Sequence, residues 1–123
     1  MFLTCVSVPK LLDTGVVYTE TDKGQTCNFG EVFTTDGRIA ALGLTVLEDD
    51  KKFFPIYNAA VTVRQETFEK HPALEKVLQP VIDKLDDATM QQLNAQVDVE
   101  GKEPDKVSEE WLSKEGFLSS SAA

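Results

Sequence analysis

The chain is 123 residues long, carrying 12 Lys plus Arg against 21 Asp plus Glu for a net charge of −9. That length holds one domain of ordinary size and not two, and 41% hydrophobic with 27% charged residues is a globular balance. The acidic surplus argues against a nucleic-acid surface, which needs clustered Lys and Arg, and against docking on anionic lipid. No apolar run approaches the roughly 20 residues that span a bilayer, and MFLTCVSVPKLLD lacks the charged start and long apolar stretch of a secretion signal.

In chain order, VVYT (16–19), EVFTT (31–35), LTVLE (44–48) and NAAVTVR (58–64) predict strands, from their β-branched and aromatic content. Turn chemistry separates them at Asp22-Lys23-Gly24, Thr35-Asp36-Gly37 and Asp49-Asp50. After about residue 65 the pattern becomes helical. Leu74, Val77, Leu78, Val81, Ile82 and Leu85 form an amphipathic stripe, with Pro72 at its start and Pro80 inside, where it kinks or restarts the helix. Asp86 or Asp87 caps a following helix carrying Met90, Leu93 and Val97, and Asp98–Gly101 reads as a turn. Glu103-Pro104 opens a last helix that buries Val107, Trp111 and Leu112 and stops at Gly116. The tail at 119–123 has nothing to pack and frays. The fold class is α+β, with short strands first and three to four helices after.

Chemistry-bearing residues are few. Cys5 and Cys27 read equally as two separate thiols or as a disulfide, which requires an oxidising compartment. His71, the single histidine, has no evident orienting partner and reads as structural or solvent-exposed. Glu48-Asp49-Asp50 lacks the ligand spacing of a cation loop and reads as a solvated turn. No glycine-rich phosphate loop, nucleophile elbow or paired metal-ligand motif occurs, so no catalytic residue, metal or cofactor is assigned. The informative set is aromatic: Tyr18, Phe29, Phe33, Phe53, Phe54 and Tyr57, of which Phe29 and Phe54 belong by default to the core. Phe33 precedes the polar turn Thr34–Arg38, and Tyr57 follows Phe53-Phe54-Pro55. Aromatic faces beside polar turns suit a quaternary ammonium, which donates no hydrogen bond and is held by ring quadrupoles.

The string GEVFTTDGRIAALGLTVLEDDKKFFPIYNAAVTVR, followed by HPALEKVLQPVIDKLDDATMQQLNAQVDVEGKEPDKVSEEWLSKEGFL, closely resembles the C-terminal portion of the glycine betaine/carnitine/choline-binding proteins. These are the extracytoplasmic substrate-binding components of osmoprotectant ABC importers. The motifs TTDGRI, LEDDKKFFP and LNAQVDVEGKEP stand in the family's order, residues 11 to 118 are covered, and FGEVFTTDGR preceded by CN is similar to actinobacterial members. The resemblance implies part of a type II periplasmic-binding-protein fold. Residues 1–52 then end the second lobe, and 53–118 supply the crossover strand and the C-terminal helices of the first.

It further implies a ligand-binding set of Tyr57, Phe33, Thr35 and Asp36. Tyr57 matches the tyrosine closing the FPxY crossover, and Phe33 the aromatic before the TTD turn, where tyrosine is common. Thr34, Thr35 and Asp36 shape the wall, and Arg38 and Glu31 stand near the cleft. The implied partners are a quaternary ammonium solute, a membrane permease, and either the missing N-terminal lobe or a second copy of the chain. The implied location is outside the cytoplasm, and no enzymatic activity is expected. The other reading is an interaction domain derived from that family, which binds no ligand and self-associates or pairs with the missing lobe.

Overall fold

The computed structural model describes residues 2–4, 9–55 and 58–118. A small antiparallel sheet opens the chain, in the order β2-β1-β3: β1 (Phe2–Thr4), β2 (Pro9–Leu11) and β3 (Phe29–Gly30). Leu3 pairs with Lys10 on one side and Gly30 on the other. At two or three residues each, these strands are too short for an in–out alternation to show in the sequence.

The four runs rich in β-formers are not strands. VVYT (16–19) lies inside a helix, α1 (Thr14–Lys23). Tertiary burial overrides local propensity there: Val17 and Tyr18 are both fully buried, which outweighs the few tenths of a kcal/mol that β-branched residues cost a helix. Gly24 closes α1 in the left-handed conformation (φ 62°), its N–H reaching the Glu20 and Thr21 carbonyls. Within EVFTT (31–35), residues 34–35 form a turn, and Asp36 is the N-cap of a second short helix, α2 (Gly37–Leu42). LTVLE (44–48) and NAAVTVR (58–64) have strand composition but no ladder. A strand exists only where a neighbour takes up its backbone hydrogen bonds, and among the described residues none pairs with either run.

Among the described residues, the second half holds four helices: α3 (Gln65–Lys70), α4 (Ala73–Ile82), α5 (Asp87–Asp98) and α6 (Pro104–Lys114). Only α3 has no counterpart in the sequence reading. Helix α4 follows the predicted stripe, and it runs on through Pro80 to Ile82 instead of restarting. The Asp86 carboxylate caps α5 by accepting the Thr89 N–H at 2.8 Å. Pro104 opens α6 behind Glu103, and the chain leaves that helix through Gly116, with the Phe117 N–H bonded back to the Leu112 carbonyl at 2.9 Å.

Among the described residues, the buried apolar ones are Val17, Tyr18, Cys27, Ile39 and Val107, with Leu12 and Val32 packed beside Val17 and Cys27. Cys27 is disulfide-bonded, so it is not a free thiol; Cys5, the chain's other cysteine, lies outside the described residues. Phe29 and Phe54 do not join the core. They are 52% and 54% exposed: Phe29 sits on the sheet-edge strand β3, and the ring that Phe54 meets edge-on, Phe53, is still more exposed. Among the described residues, no helix is long and apolar enough to cross a membrane.

What positions the site is the packing of α2 on α5. Gly37 makes that approach possible, because a Cβ there would stand 2.6 Å from both Ala95 Cα and the Asn94 carbonyl carbon. The contact joins residues 37–42 to residues 87–98.

Candidate functional site

The turn Phe33–Asp36 connects β3 to α2 and is gripped from two sides. Beneath it, the Phe33 N–H donates to the Tyr18 hydroxyl of α1 at 3.2 Å. Beside it, α5 presents two amides one helical turn apart: Gln91 Nε2 donates to the Thr34 carbonyl at 2.6 Å, and Asn94 Nδ2 to the Thr35 carbonyl at 2.7 Å. The turn closes on itself through the Asp36 N–H and the Phe33 carbonyl at 3.1 Å.

Asp36 is heavily engaged. Its Oδ1 accepts the Arg38 N–H, which is the N-cap bond of α2, and also Arg38 Nε, both at 2.9 Å; Oδ2 takes Arg38 Nη2 at 2.7 Å. Such a two-pronged guanidinium–carboxylate pair fixes orientation as well as charge. The same guanidinium lies 4.5 Å over the centre of the Tyr18 ring, a cation–π contact.

The electrostatics derive from this geometry. Burial pushes the Tyr18 phenol up to about 12, with the neighbouring Asp36 carboxylate adding to the rise. Burial alone raises the Asp36 carboxyl too. The hydrogen bonds from Arg38 and Tyr18 outweigh it and hold Asp36 below the usual aspartate range. Arg38 is held more firmly protonated by its bonds to Asp36.

Of the residues expected at a site, Phe33, Thr35 and Asp36 therefore share one turn, while Tyr57 lies outside the described residues. The Phe33 side is the exposed one, at 55%. Thr35 and Asp36 are half-buried; the Thr35 carbonyl faces Asn94 and the Asp36 carboxylate faces Arg38. Arg38 turns toward Asp36 and Tyr18, so its fork is already occupied. Asp49 accepts the Phe54 N–H at 2.8 Å and closes the turn before the crossover, and His71 sits exposed at the end of α3. Among the described residues, no group of three or more His, Cys, Asp or Glu could hold a metal ion.

Sequence reasoning does not reach Tyr18, Gln91 or Asn94 as parts of this arrangement. The signal for the last two is a pair of amides three apart on the helix that also carries Met90, Leu93 and Val97. Tyr18 stands in the informative aromatic set, but its segment read as a strand gives no sign that it lies under the Phe33 turn.

Comparison with known proteins points to one family. Residues 4–114 match the family described as the substrate binding domain of the ABC-type glycine betaine transport system. The glycine-betaine-binding protein of Pseudomonas aeruginosa is 46% identical over 107 residues, which are 87% of this chain and 34% of that protein. The crystal structure of a glycine betaine/carnitine/choline ABC transporter superposes with a TM-score of 0.77 at 36% identity, over 88% of this chain and 39% of that one. Apo YehZ from Escherichia coli superposes at 0.76 with 38% identity, over 87% of this chain and 38% of YehZ. The chain thus spans about a third of the length of the Pseudomonas relative and carries a corresponding part of the periplasmic-binding-protein fold. With the family's pattern running through almost all of its residues, this chain belongs to the substrate binding domains of ABC-type glycine betaine transport systems.

Proposed function

We propose that this chain forms part of a receptor for compact quaternary ammonium solutes such as glycine betaine, choline or carnitine. It hands them to the membrane permease of an ABC importer and performs no chemistry itself. The observation that carries this reading is Phe33, a phenyl group more than half exposed on a turn whose backbone is bonded to two helices. A trimethylammonium head has no N–H to donate, so ring faces must hold it, at roughly 2 kcal/mol per desolvated contact. Tyr57 supplies a second ring. Thr35 and Asp36 frame the wall, the Thr35 carbonyl already taking Asn94 and the Asp36 carboxylate Arg38.

The names of the relatives, which include glycine betaine, carnitine and choline, support the same ligand class. The disulfide at Cys27 supports an extracytoplasmic setting, where such bonds persist. In this reading residues 1–52 end the second lobe, residues 53–118 return to the first, and the α2–α5 contact is a joint between them. Exposed apolar side chains in the stretch of sequence between α2 and α5, Leu47 at 69%, Phe53 at 81% and Val77 at 66%, favour a second reading in which the chain is chiefly a pairing surface.

Calorimetric titration separates the two. Glycine betaine is added to this chain alone and to this chain joined to the N-terminal two-thirds of the Pseudomonas relative. The receptor reading requires saturable binding by the joined protein, and a folded joined protein that takes up none of the three solutes refutes it.

A further inference from the structure

We propose that Tyr18 is the positioning residue of this site: its buried hydroxyl accepts the Phe33 N–H while facing Asp36, and so sets the attitude at which the Phe33 ring meets ligand. The proposal rests on reading Phe33 as a ligand-facing ring. An aromatic side chain that is 55% exposed has little packing to hold it, so its direction is dictated by the backbone beneath. That backbone is tied to α1 through the Tyr18 hydroxyl.

Tyr18 is itself immobilised. It is fully buried, and the Arg38 guanidinium covers one face of its ring at 4.5 Å. Arg38 is held by both oxygens of Asp36, and Asp36 ends the same turn that Phe33 begins. The circuit runs from ring to guanidinium to carboxylate, along the turn, and back to the hydroxyl. Only a tyrosine offers it both a ring face and an acceptor oxygen. Phenylalanine would keep the face and the volume but leave the part-buried Phe33 N–H without its partner and take the hydroxyl's bond from Asp36. The cap and fork bonds of Asp36 to Arg38 do not involve the hydroxyl, so α2 keeps its N-cap in such a variant.

The test compares Tyr18→Phe with Val17→Ala in the 123-residue chain. Val17 is equally buried on the same helix but makes no hydrogen bond to the turn through its side chain. Tyr18→Phe should speed amide exchange at Phe33 roughly tenfold, the scale of one lost hydrogen bond, and leave the α5 amides as they were. Val17→Ala should loosen α1 and its surroundings without singling out Phe33. Titrated with glycine betaine in the joined protein described above, Tyr18→Phe should weaken binding about tenfold, and Val17→Ala should leave it unchanged. The proposal is overturned if Phe33 exchange is unaltered in Tyr18→Phe, if both variants loosen the chain alike, or if a binding wild type loses no affinity in Tyr18→Phe. A joined wild type that binds no glycine betaine while Tyr18→Phe still frees the Phe33 amide alone upholds the positioning and counts only against the receptor reading.

Discussion

Replacing Gly37 by alanine sets two opposed effects against each other. Alanine gains up to about 1 kcal/mol of helix propensity over glycine, and less at the first residue of a helix. Against this, the new Cβ would stand 2.6 Å from Ala95 Cα and the Asn94 carbonyl carbon. These are backbone atoms of α5 that cannot swing aside, so the helices must part by close to an ångström, at the roughly 1–3 kcal/mol of an overpacked core. The clash wins, and net destabilisation should be about 1–2 kcal/mol, or a melting temperature lower by roughly 5–10 °C. Two other glycines calibrate the measurement. At Gly43 (φ 64°) a Cβ meets nothing within 4 Å, so alanine should cost only the roughly 1–2 kcal/mol of a left-handed residue. At Gly15 the nearest atom is Arg38 Nη1 at 2.8 Å, part of the guanidinium that Asp36 holds, so alanine should disturb the Arg38–Asp36 pair and leave α5 exchange untouched. Urea unfolding supplies the energies, and amide exchange supplies the location: Gly37→Ala should loosen Asn94 and Ala95, while Gly43→Ala should not. If Gly37→Ala melts at or above the wild type, or leaves α5 exchange untouched, Gly37 is not what lets α2 seat on α5.

The remaining predictions concern pH, affinity and chain cleavage. Folding holds the Tyr18 proton more tightly than the unfolded chain does, about 12 against 10.0, so this group's stabilisation is complete below pH 10 and is lost as pH rises toward 12. Tyr18→Phe should flatten that alkaline loss in melting curves, and an unchanged pH profile in the variant would contradict it. In the joined receptor, Phe33→Ala and Tyr57→Ala should each weaken glycine betaine binding about thirtyfold, the equivalent of roughly 2 kcal/mol. Phe33→Tyr and Tyr57→Phe should be tolerated, and a folded Tyr57→Ala protein with unchanged affinity would remove Tyr57 from the site. Trypsin should cut first after Lys51 or Lys52, which are exposed in the turn before the crossover; earlier cuts between residues 74 and 112 would argue against a boundary there.

How much of the structure is legible in the sequence depends on where the deciding interactions lie. The start of α5 at Asp86, the opening of α6 at Pro104 and the stripe of α4 are set by neighbours within a few residues, and all three can be read directly. VVYT misleads because its preference for strand is a local property, whereas its helical state comes from burying Val17 and Tyr18. Asp36-Gly37 is recognisable as a punctuation mark, but an aspartate serves a turn and an N-cap by the same chemistry, and only the state of residues 38–42 distinguishes them. LTVLE and NAAVTVR show the reverse failure: their residues suit a sheet, and no pairing neighbour lies among the described residues. At the candidate site, Phe33 stands out as an aromatic beside a polar turn. Its supports do not, because Tyr18 and Gln91 lie 15 and 58 positions from it in sequence, with nothing local to connect them.

The seating of α2 on α5 also makes residues 43 to 86 a closed loop whose ends are brought together only in the folded chain. Ring closure of this kind has an entropic cost that grows with the logarithm of length, so doubling the loop adds only about 0.6 kcal/mol. Extra residues spliced into the exposed run at 45–55 should therefore weaken the α2–α5 seam very little. For the same reason that seam should be among the last features to form on refolding, since loop entropy must be lost before Gly37 can settle against Ala95.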